Sequence, residues 1–415
     1  MTWATREGRA AAESSPPLER EISEAAGLAV RAFIAWLERF GETSQDQYDF
    51  WATAWGRRAK ALYYRSPRIG ALAVAPLVFL DAFLPRTRGL VRPRQRFPIA
   101  DAHYAIGFFA LAEAEGDDRW VERGRSFLGH LKASRCPGFA DWCWGYPFHW
   151  QTVFGLFEAG RPLITTMPYC YEAFEAGYEL TGDPEYLEIM ESAAAFAHDG
   201  IPVAEVAPGV EACSYTPFDR RRVVNASAYR AFLLIAAGHR FQRPAWVGAG
   251  ERNLAFVLDS QREDGSWLYA MDGHDRFVDN FHTCFVLKNL VKAWRISGDP
   301  GVRAAIERGH GYWRHALLDE SGQPRPFSKP PRLTLHRRDL YDYAEGINLA
   351  LLLRDLIPDA RAVLHALVDG LLQEWVLPDG HFVTRQLVLG RNEVPYHRWA
   401  QAQTFHALAR CATPG

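Results

Sequence analysis

Six times along the chain a short polar and aromatic cluster runs into an apolar stretch with helical spacing. The stretches are DAHYAIGFFAL from Asp101, PYCYEAFEAGYEL from Pro168, NASAYRAFLLIAAG from Asn225, NFHTCFVLKNLVKAW from Asn280, YAEGINLALLLRDL from Tyr343 and WAQAQTFHALARC from Trp399. Their starts recur every 55 to 67 residues. Self-similarity at such a period marks units that bury their apolar faces only against their neighbours. A second helical stretch follows each of the first five, and AAGLAVRAFIAWLERF (25–40) supplies a sixth ahead of them. The pattern predicts twelve helices in six hairpins.

The turns inside the hairpins support this reading. EGDD (115–118), TGDP (181–184) and SGDP (297–300) place Gly where a helix ends in the left-handed region, Asp where the next is capped, and Pro in its first turn. The connections between hairpins are long: roughly 135–167, 200–224, 261–279, 318–341 and 377–398. Long irregular connections are uncommon in compact domains unless they carry function. If the hairpins close into a ring, all these loops fall at the N-terminal ends of the inner helices. The expected fold is all-α, an (α/α)6 toroid with short β-hairpins or irregular loops on one face. It forms a single domain over 1–415, interrupted by a helical insertion at 48–96.

Composition narrows the partners. With 48% hydrophobic and 23% charged residues the chain has ample core, and a net charge of −2 gives no field that would draw it to nucleic acid. The six cysteines form no C-x-x-C pair, so buried reduced thiols are expected. Residues 1–20 are polar and lack the apolar run of a secretory leader, which points to the cytoplasm. Between Arg57 and Arg96 stand ten Arg or Lys residues and one acid, Asp81, around the apolar run IGALAVAPLVFLDAFL (69–84). That run is too short to span a bilayer. It reads as a buried helix with a basic collar, or as a peripheral contact of segment 57–96 with anionic lipid or a lipid-linked glycan.

On the loop face, Asp141, Trp142, Trp144, Tyr146, His149 and Trp150 crowd one short segment, and Tyr171, Asn225, Asn280 and Trp399 stand near inner-helix starts. Aromatic rings stack on sugar faces and polar neighbours bind hydroxyls, although the same residues also cap helical cores. Carboxylates at or near the inner-helix starts are Asp101, Glu172, Asp279, Asp342 and Glu345. Opposed carboxylates roughly 6.5–9.5 Å apart would serve inverting glycoside hydrolysis. Epimerisation or elimination at C5 of a uronate would need a base such as His149 or His282. Asp101, Asp279 and Asp342 also stand where a helix cap would, and His103 is as readily a hydrogen-bonded structural group. Loop arginines 220, 221, 222, 332, 337, 338, 385, 391 and 398, Arg385 and Arg398 foremost, suit an acidic sugar or phosphate. No metal-ligand spacing is present, and neither a metal nor a cofactor is expected.

Two resemblances follow. QREDGSW, Gln261–Trp267, is similar to the Q-x-x-x-G-x-W signature of squalene and terpene cyclases, occurring once and without their acid or metal motifs. AVAPLVFLDAFLP (73–85), QRFPIADAHYAIGF (95–108), DWCWGYPFHWQT (141–152) and VDNFHTCFVLKNL (278–290) resemble the VpsJ-type bacterial polysaccharide biosynthesis proteins. That resemblance implies a six-hairpin glycosidase-like fold and an exopolysaccharide or capsule context. It also puts Asp101, His103, Asp141, Trp144, Tyr146, His149, Asp279, Asn280 and His282 near the site. The expected function is a glycoside hydrolase-like enzyme acting on an oligo- or polysaccharide or lipid-linked glycan. Uronate lyase or C5-epimerase, a non-catalytic glycan-binding scaffold and a terpene cyclase are the alternatives.

Overall fold

The computed structural model describes residues 17–273, 276–330 and 334–412, with side chains from residue 20 onward. The segment 1–16, which bears on the leader, and Arg332 lie outside the described residues. Twelve helices build the body: α1 (Pro17–Phe40), α2 (Pro98–Glu115), α3 (Asp118–Ala133), α4 (Met167–Thr181), α5 (Pro184–Ala195), α6 (Val224–Arg240), α7 (Pro244–Asp259), α8 (Asn280–Ser297), α9 (Pro300–Tyr312), α10 (Leu340–Leu353), α11 (Ala360–Glu374) and α12 (Ala402–Ala412).

The even-numbered helices form the inner wall. Each packs on the next, and α12 returns to α2, so the ring is closed. Their sequences show why they line the inside: all 14 residues of α10 are buried, as a helix packed on every side requires. The odd-numbered helices wrap the outside, with α1 closing on α11 and α12.

Short turns link each inner helix to its outer partner. Gly116, Gly182 and Gly298 end α2, α4 and α8 in the left-handed region, with φ of 64°, 68° and 67°. Asp117, Asp183 and Asp299 then cap α3, α5 and α9 through their carboxylates. Each such cap stabilises its helix by about 1 kcal/mol.

The long connections hold all the strands. β1 (Trp150–Thr152) pairs with β2 (Gly155–Phe157), and β3 (Val203–Ala207) pairs with β4 (Val210–Cys213). β5 (Val278–Asp279) pairs with β6 (Phe327–Lys329), and β7 (His336–Asp339), β8 (Arg385–Leu387) and β9 (Arg391–Asn392) form a three-stranded sheet. The last two sheets tie different connections to one another, so the elaborated rim is itself continuous.

The sixth connection, from α1 to α2, is the insertion. Ser44 and Gln95 exchange backbone hydrogen bonds of 3.0 and 2.8 Å and close its neck. Inside lie short helices Asp49–Ala52, Ala54–Arg65 and Pro67–Phe83, with a small core of Phe50, Ala59 and Leu77. Arg88 is buried, pairs with Asp81, and donates to the Asp46 carbonyl at 3.1 Å.

QREDGSW has a structural role. Gln261 Nε2 donates to the Gly265 and Ala305 carbonyls, and Trp267 Nε1 donates to the Val257 carbonyl at 2.9 Å, which binds the end of α7 to α9. All six cysteines are buried free thiols. No described helix is long and apolar enough to cross a membrane.

Candidate functional site

Along the axis of the ring the inner helices are joined by polar side chains, one from each. His103 on α2 meets His406 on α12, Nδ1 to Nδ1, at 2.9 Å, and its ring lies 4.5 Å from that of Tyr169 on α4. Tyr169 Oη and Tyr229 Oη on α6 are 2.8 Å apart. Lys288 Nζ on α8 donates to Tyr169 Oη at 3.2 Å and forms a buried ion pair with Glu345 on α10. Burial drives His103 and His406 well below the ordinary histidine range, so both stay neutral. This network plugs the ring below the rim.

Above it the rim forms an aromatic bowl. Tyr146 and Trp150 lie 6.2 Å apart, Trp399 stacks on Tyr341 at 5.9 Å, and Phe281 touches both Tyr341 and Trp399. Arg398 sits beneath. Its guanidinium is held by Asp46 through two 2.7 Å hydrogen bonds and lies 4.1 Å from the Trp399 ring centre and 4.7 Å from that of Tyr146. Burial alone would lower its pKa, but the Asp46 charge holds it above the usual arginine value. Trp150 Nε1 donates to Tyr48 Oη at 2.7 Å, joining the bowl to the insertion.

At the start of α8, Asp279 caps the helix by accepting from the His282 backbone N–H at 3.2 Å. The same carboxylate meets His282 Nδ1 at 2.7 and 2.9 Å. Among the described residues Nε2 has no hydrogen-bond partner. The His282 side chain is 20% exposed, ringed by Tyr269, Phe277, Phe281 and Phe285. It shares a narrow cleft with Asn225, whose buried amide has neither oxygen nor nitrogen bonded among the described residues. A carboxylate on one imidazole nitrogen fixes the tautomer and offers the other nitrogen to a ligand.

The carboxylates at the inner-helix starts are deeply buried and most of them are already engaged. Asp101, Asp279, Asp342 and Glu345 are all no more than 3% exposed. Asp101 bonds Arg96 at 2.7 Å, and burial pushes its carboxyl up to about 8 against the pull of that guanidinium. Glu172 pairs with Lys292 and Glu345 with Lys288. Asp342 is raised well above the carboxylate range by burial, then by the charges of Asp339 and Asp279. Of the three aspartates that could have been caps, Asp279 is one; α10 is capped by Asp339, which accepts from the Tyr341 N–H at 3.1 Å.

Several other candidates are held by contacts within the protein. Trp144 is wholly buried and donates to the Leu131 carbonyl at 2.8 Å, with Trp142 stacked on it; Asp141 accepts from Ser192 Oγ at 2.9 Å. Asn280 donates to the Leu317 and Arg325 carbonyls and accepts from Trp313 Nε1, so its amide is spent on the turn that follows α9 and the start of the next connection. Tyr171 is buried on α4 near Glu175 and Arg240. His149 Nδ1 accepts from the Ala159 N–H at 3.2 Å within the first hairpin.

The rim arginines have intramolecular anions: Arg385 with Asp339, Arg221 with Asp272, Arg338 with Asp319 and Glu374, Arg391 with Glu393. Their number therefore says less about an acidic ligand than the sequence suggested. Residues that sequence reasoning missed are Tyr48, Tyr169, Tyr229, Lys288, Phe281, Tyr341 and His406. A groove of about 390 Å³ runs from the bowl to the insertion, with Trp399, Arg385 and Tyr48 at its inner end and Tyr63, Tyr64 and Val78 along its outer wall.

No family model matches the chain, and no curated protein matches it. Solved structures do. A GH76 α-mannanase from Bacteroides thetaiotaomicron aligns at 10% identity with a TM-score of 0.60, over 89% of this chain and 98% of that one. A cellobiose 2-epimerase from Bacillus thermoamylovorans aligns at 8% identity and 0.59, over 77% and 87%. An unsaturated glucuronyl hydrolase specific for heparin aligns at 14% and 0.57, over 77% and 87%. At these identities the likeness establishes the fold, an (α/α)6 toroid of the six-hairpin glycosidase-like kind.

Proposed function

We propose that the chain is a carbohydrate-active enzyme that transfers a proton on a glycan, with His282 as the acid–base group and Asp279 orienting it. The observation that carries this is the pair itself. Among the carboxylates and histidines at the inner-helix starts, His282 combines an orienting partner, an unbonded second nitrogen and access to solvent. Asn225 supplies an adjacent amide for a hydroxyl, and Tyr146, Trp150 and Trp399 supply ring faces. Proton abstraction next to a carbonyl, as in epimerisation or uronate elimination, fits a single imidazole base. Hydrolysis is the second reading, favoured by Asp342, whose carboxyl burial keeps protonated as a general acid must be. The fold does not choose, since its solved relatives include enzymes named as hydrolases and as an epimerase. The likeness of four segments to polysaccharide biosynthesis proteins supports a glycan of bacterial exopolysaccharide or capsule assembly, handled in the cytoplasm.

The test is to incubate the protein in D2O with reducing disaccharides and uronate oligosaccharides and follow both products and deuterium by NMR. The expected result is deuterium at one sugar carbon, lost with His282→Asn by about 10²–10⁴-fold in kcat. Cleavage that leaves an unsaturated uronate end, also lost with His282→Asn, identifies elimination, whereas cleavage with neither deuterium at carbon nor an unsaturated end moves the assignment to hydrolysis. Glycan binding without turnover, unchanged in His282→Asn, makes the protein a scaffold.

A further inference from the structure

The insertion turns one side to the rim and leaves the other uncovered. Along Pro67–Phe83, Arg68, Leu72, Phe79 and Phe83 follow one another at helical spacing on the outward side, with Leu72 78% and Phe79 55% exposed. Ile69 is 62% exposed beside them, and the tilted rings of Phe79 and Phe83 meet each other with centres 5.2 Å apart. The preceding helix, Ala54–Arg65, adds Trp55 and Leu62, and the turn beyond adds Leu90 at 87%. Soluble proteins scatter exposed apolar residues singly, so a contiguous patch on two adjacent helices marks a contact surface.

Its charge names the partner. Arg58, Arg65, Arg68 and Arg86 are exposed and form no ion pair among the described residues. The one acid between Arg57 and Arg96, Asp81, is taken up by Arg88. Apolar side chains flanked by unpaired guanidinium groups match the interface of an anionic bilayer, where the rings enter the acyl boundary and the arginines meet phosphate. At 17 residues the apolar helix cannot cross, and its Pro76 lies within it.

We infer that the helical insertion docks the protein peripherally on an anionic membrane, through Leu72, Phe79, Phe83 and the arginines around them. The inward side of the same helices walls the groove of about 390 Å³ that leads to the bowl, so docking holds the groove one helix thickness from the bilayer. The surface stands independently of the acid–base reading of His282.

Sedimentation with vesicles tests it. The full chain is mixed with vesicles of phosphatidylcholine alone and of equimolar phosphatidylcholine and phosphatidylglycerol. The expected result is binding to the anionic vesicles that weakens with salt, and a loss of tenfold or more in Leu72→Glu/Phe79→Glu. The quadruple change of Arg58, Arg65, Arg68 and Arg86 to Gln should lose affinity for anionic vesicles by a similar factor. These side chains are exposed, so both variants should keep the wild-type circular dichroism and melting temperature. Failure of the wild type to pellet with anionic vesicles overturns the inference. So does sedimentation equilibrium showing a dimer that Leu72→Glu/Phe79→Glu dissociates while vesicle binding is unchanged, for the face would then belong to a second copy.

Discussion

Replacing Lys288 with Met isolates the axial network. Lys288 and Glu345 have side-chain exposures of 5% and 0%, and Lys288 Nζ also donates to Tyr169 Oη at 3.2 Å. Methionine keeps most of the volume and removes the charge. The variant therefore buries a carboxylate with no counter-charge from α8 and takes one hydrogen bond from Tyr169. Removing one partner of a buried pair costs about 3–5 kcal/mol. We take about 4 kcal/mol, a substantial part of the roughly 5–15 kcal/mol by which folded domains are stable. With an unfolding entropy near 2.1 cal/mol/K per residue over 415 residues, that is a fall of roughly 5 °C in Tm. Differential scanning calorimetry of the wild type, the two single variants and Lys288→Met/Glu345→Leu closes a double-mutant cycle. Because well-packed apolar groups replace buried ion pairs at little cost, the double variant should return to within about 2 kcal/mol of wild type. If the single losses simply add, with coupling below about 0.5 kcal/mol, the pair does not act as a unit and the argument fails.

Buried His397 and the tight turn at Gly265 are open to stability measurements of their own. Burial lowers His397 from 6.5 to about 3, so between those values the unfolded chain binds the proton and the folded one does not. Stability from this residue is complete above about 6.5 and falls as pH drops. Relative to wild type, His397→Gln should gain up to about 1.4 kcal/mol per pH unit on acidification, and parallel urea-denaturation curves at each pH would refute this. The comparison is drawn against the wild type because Asp101 and Asp49, raised by burial to about 8 and about 6, pull in the opposite sense. Gly265→Ala should cost about 2 kcal/mol or more, since φ is 87° and a Cβ would stand 2.4 Å from the Arg308 carbonyl oxygen. Gly116→Ala, at φ 64° with open space around it, should cost about 1 kcal/mol. Equal thermal shifts in the two would deny the close approach to α9.

The architecture was legible because its determinants are local. Apolar period, Gly at a helix end and Asp at the next start each lie within a few residues, and Asp117, Asp183 and Asp299 cap the helices those signals pointed to. The site was legible in part. Asp279 and His282 stand three apart on one turn, yet their pairing depends on the carboxylate turning back as a cap. Arg398 and Asp46 lie 352 residues apart, and nothing local links them. The axial network had one signal, Lys288 within the apolar run FVLKNLV, where a charge inside a fully buried stretch implies a buried partner. The pairing of Glu345 with Lys288 was not legible, because sequence gives a side chain's element but not which neighbouring helix faces it.

The side chains meeting on the axis also give the ring a bottom. With His103, Tyr169, Tyr229, Lys288, Glu345 and His406 linked across it, the toroid is a cup rather than a tube. Whatever enters must leave by the same opening, so a long polymer cannot be threaded through the middle and drawn out at the far side. Only a chain end, a branch or a short saccharide would reach the bottom.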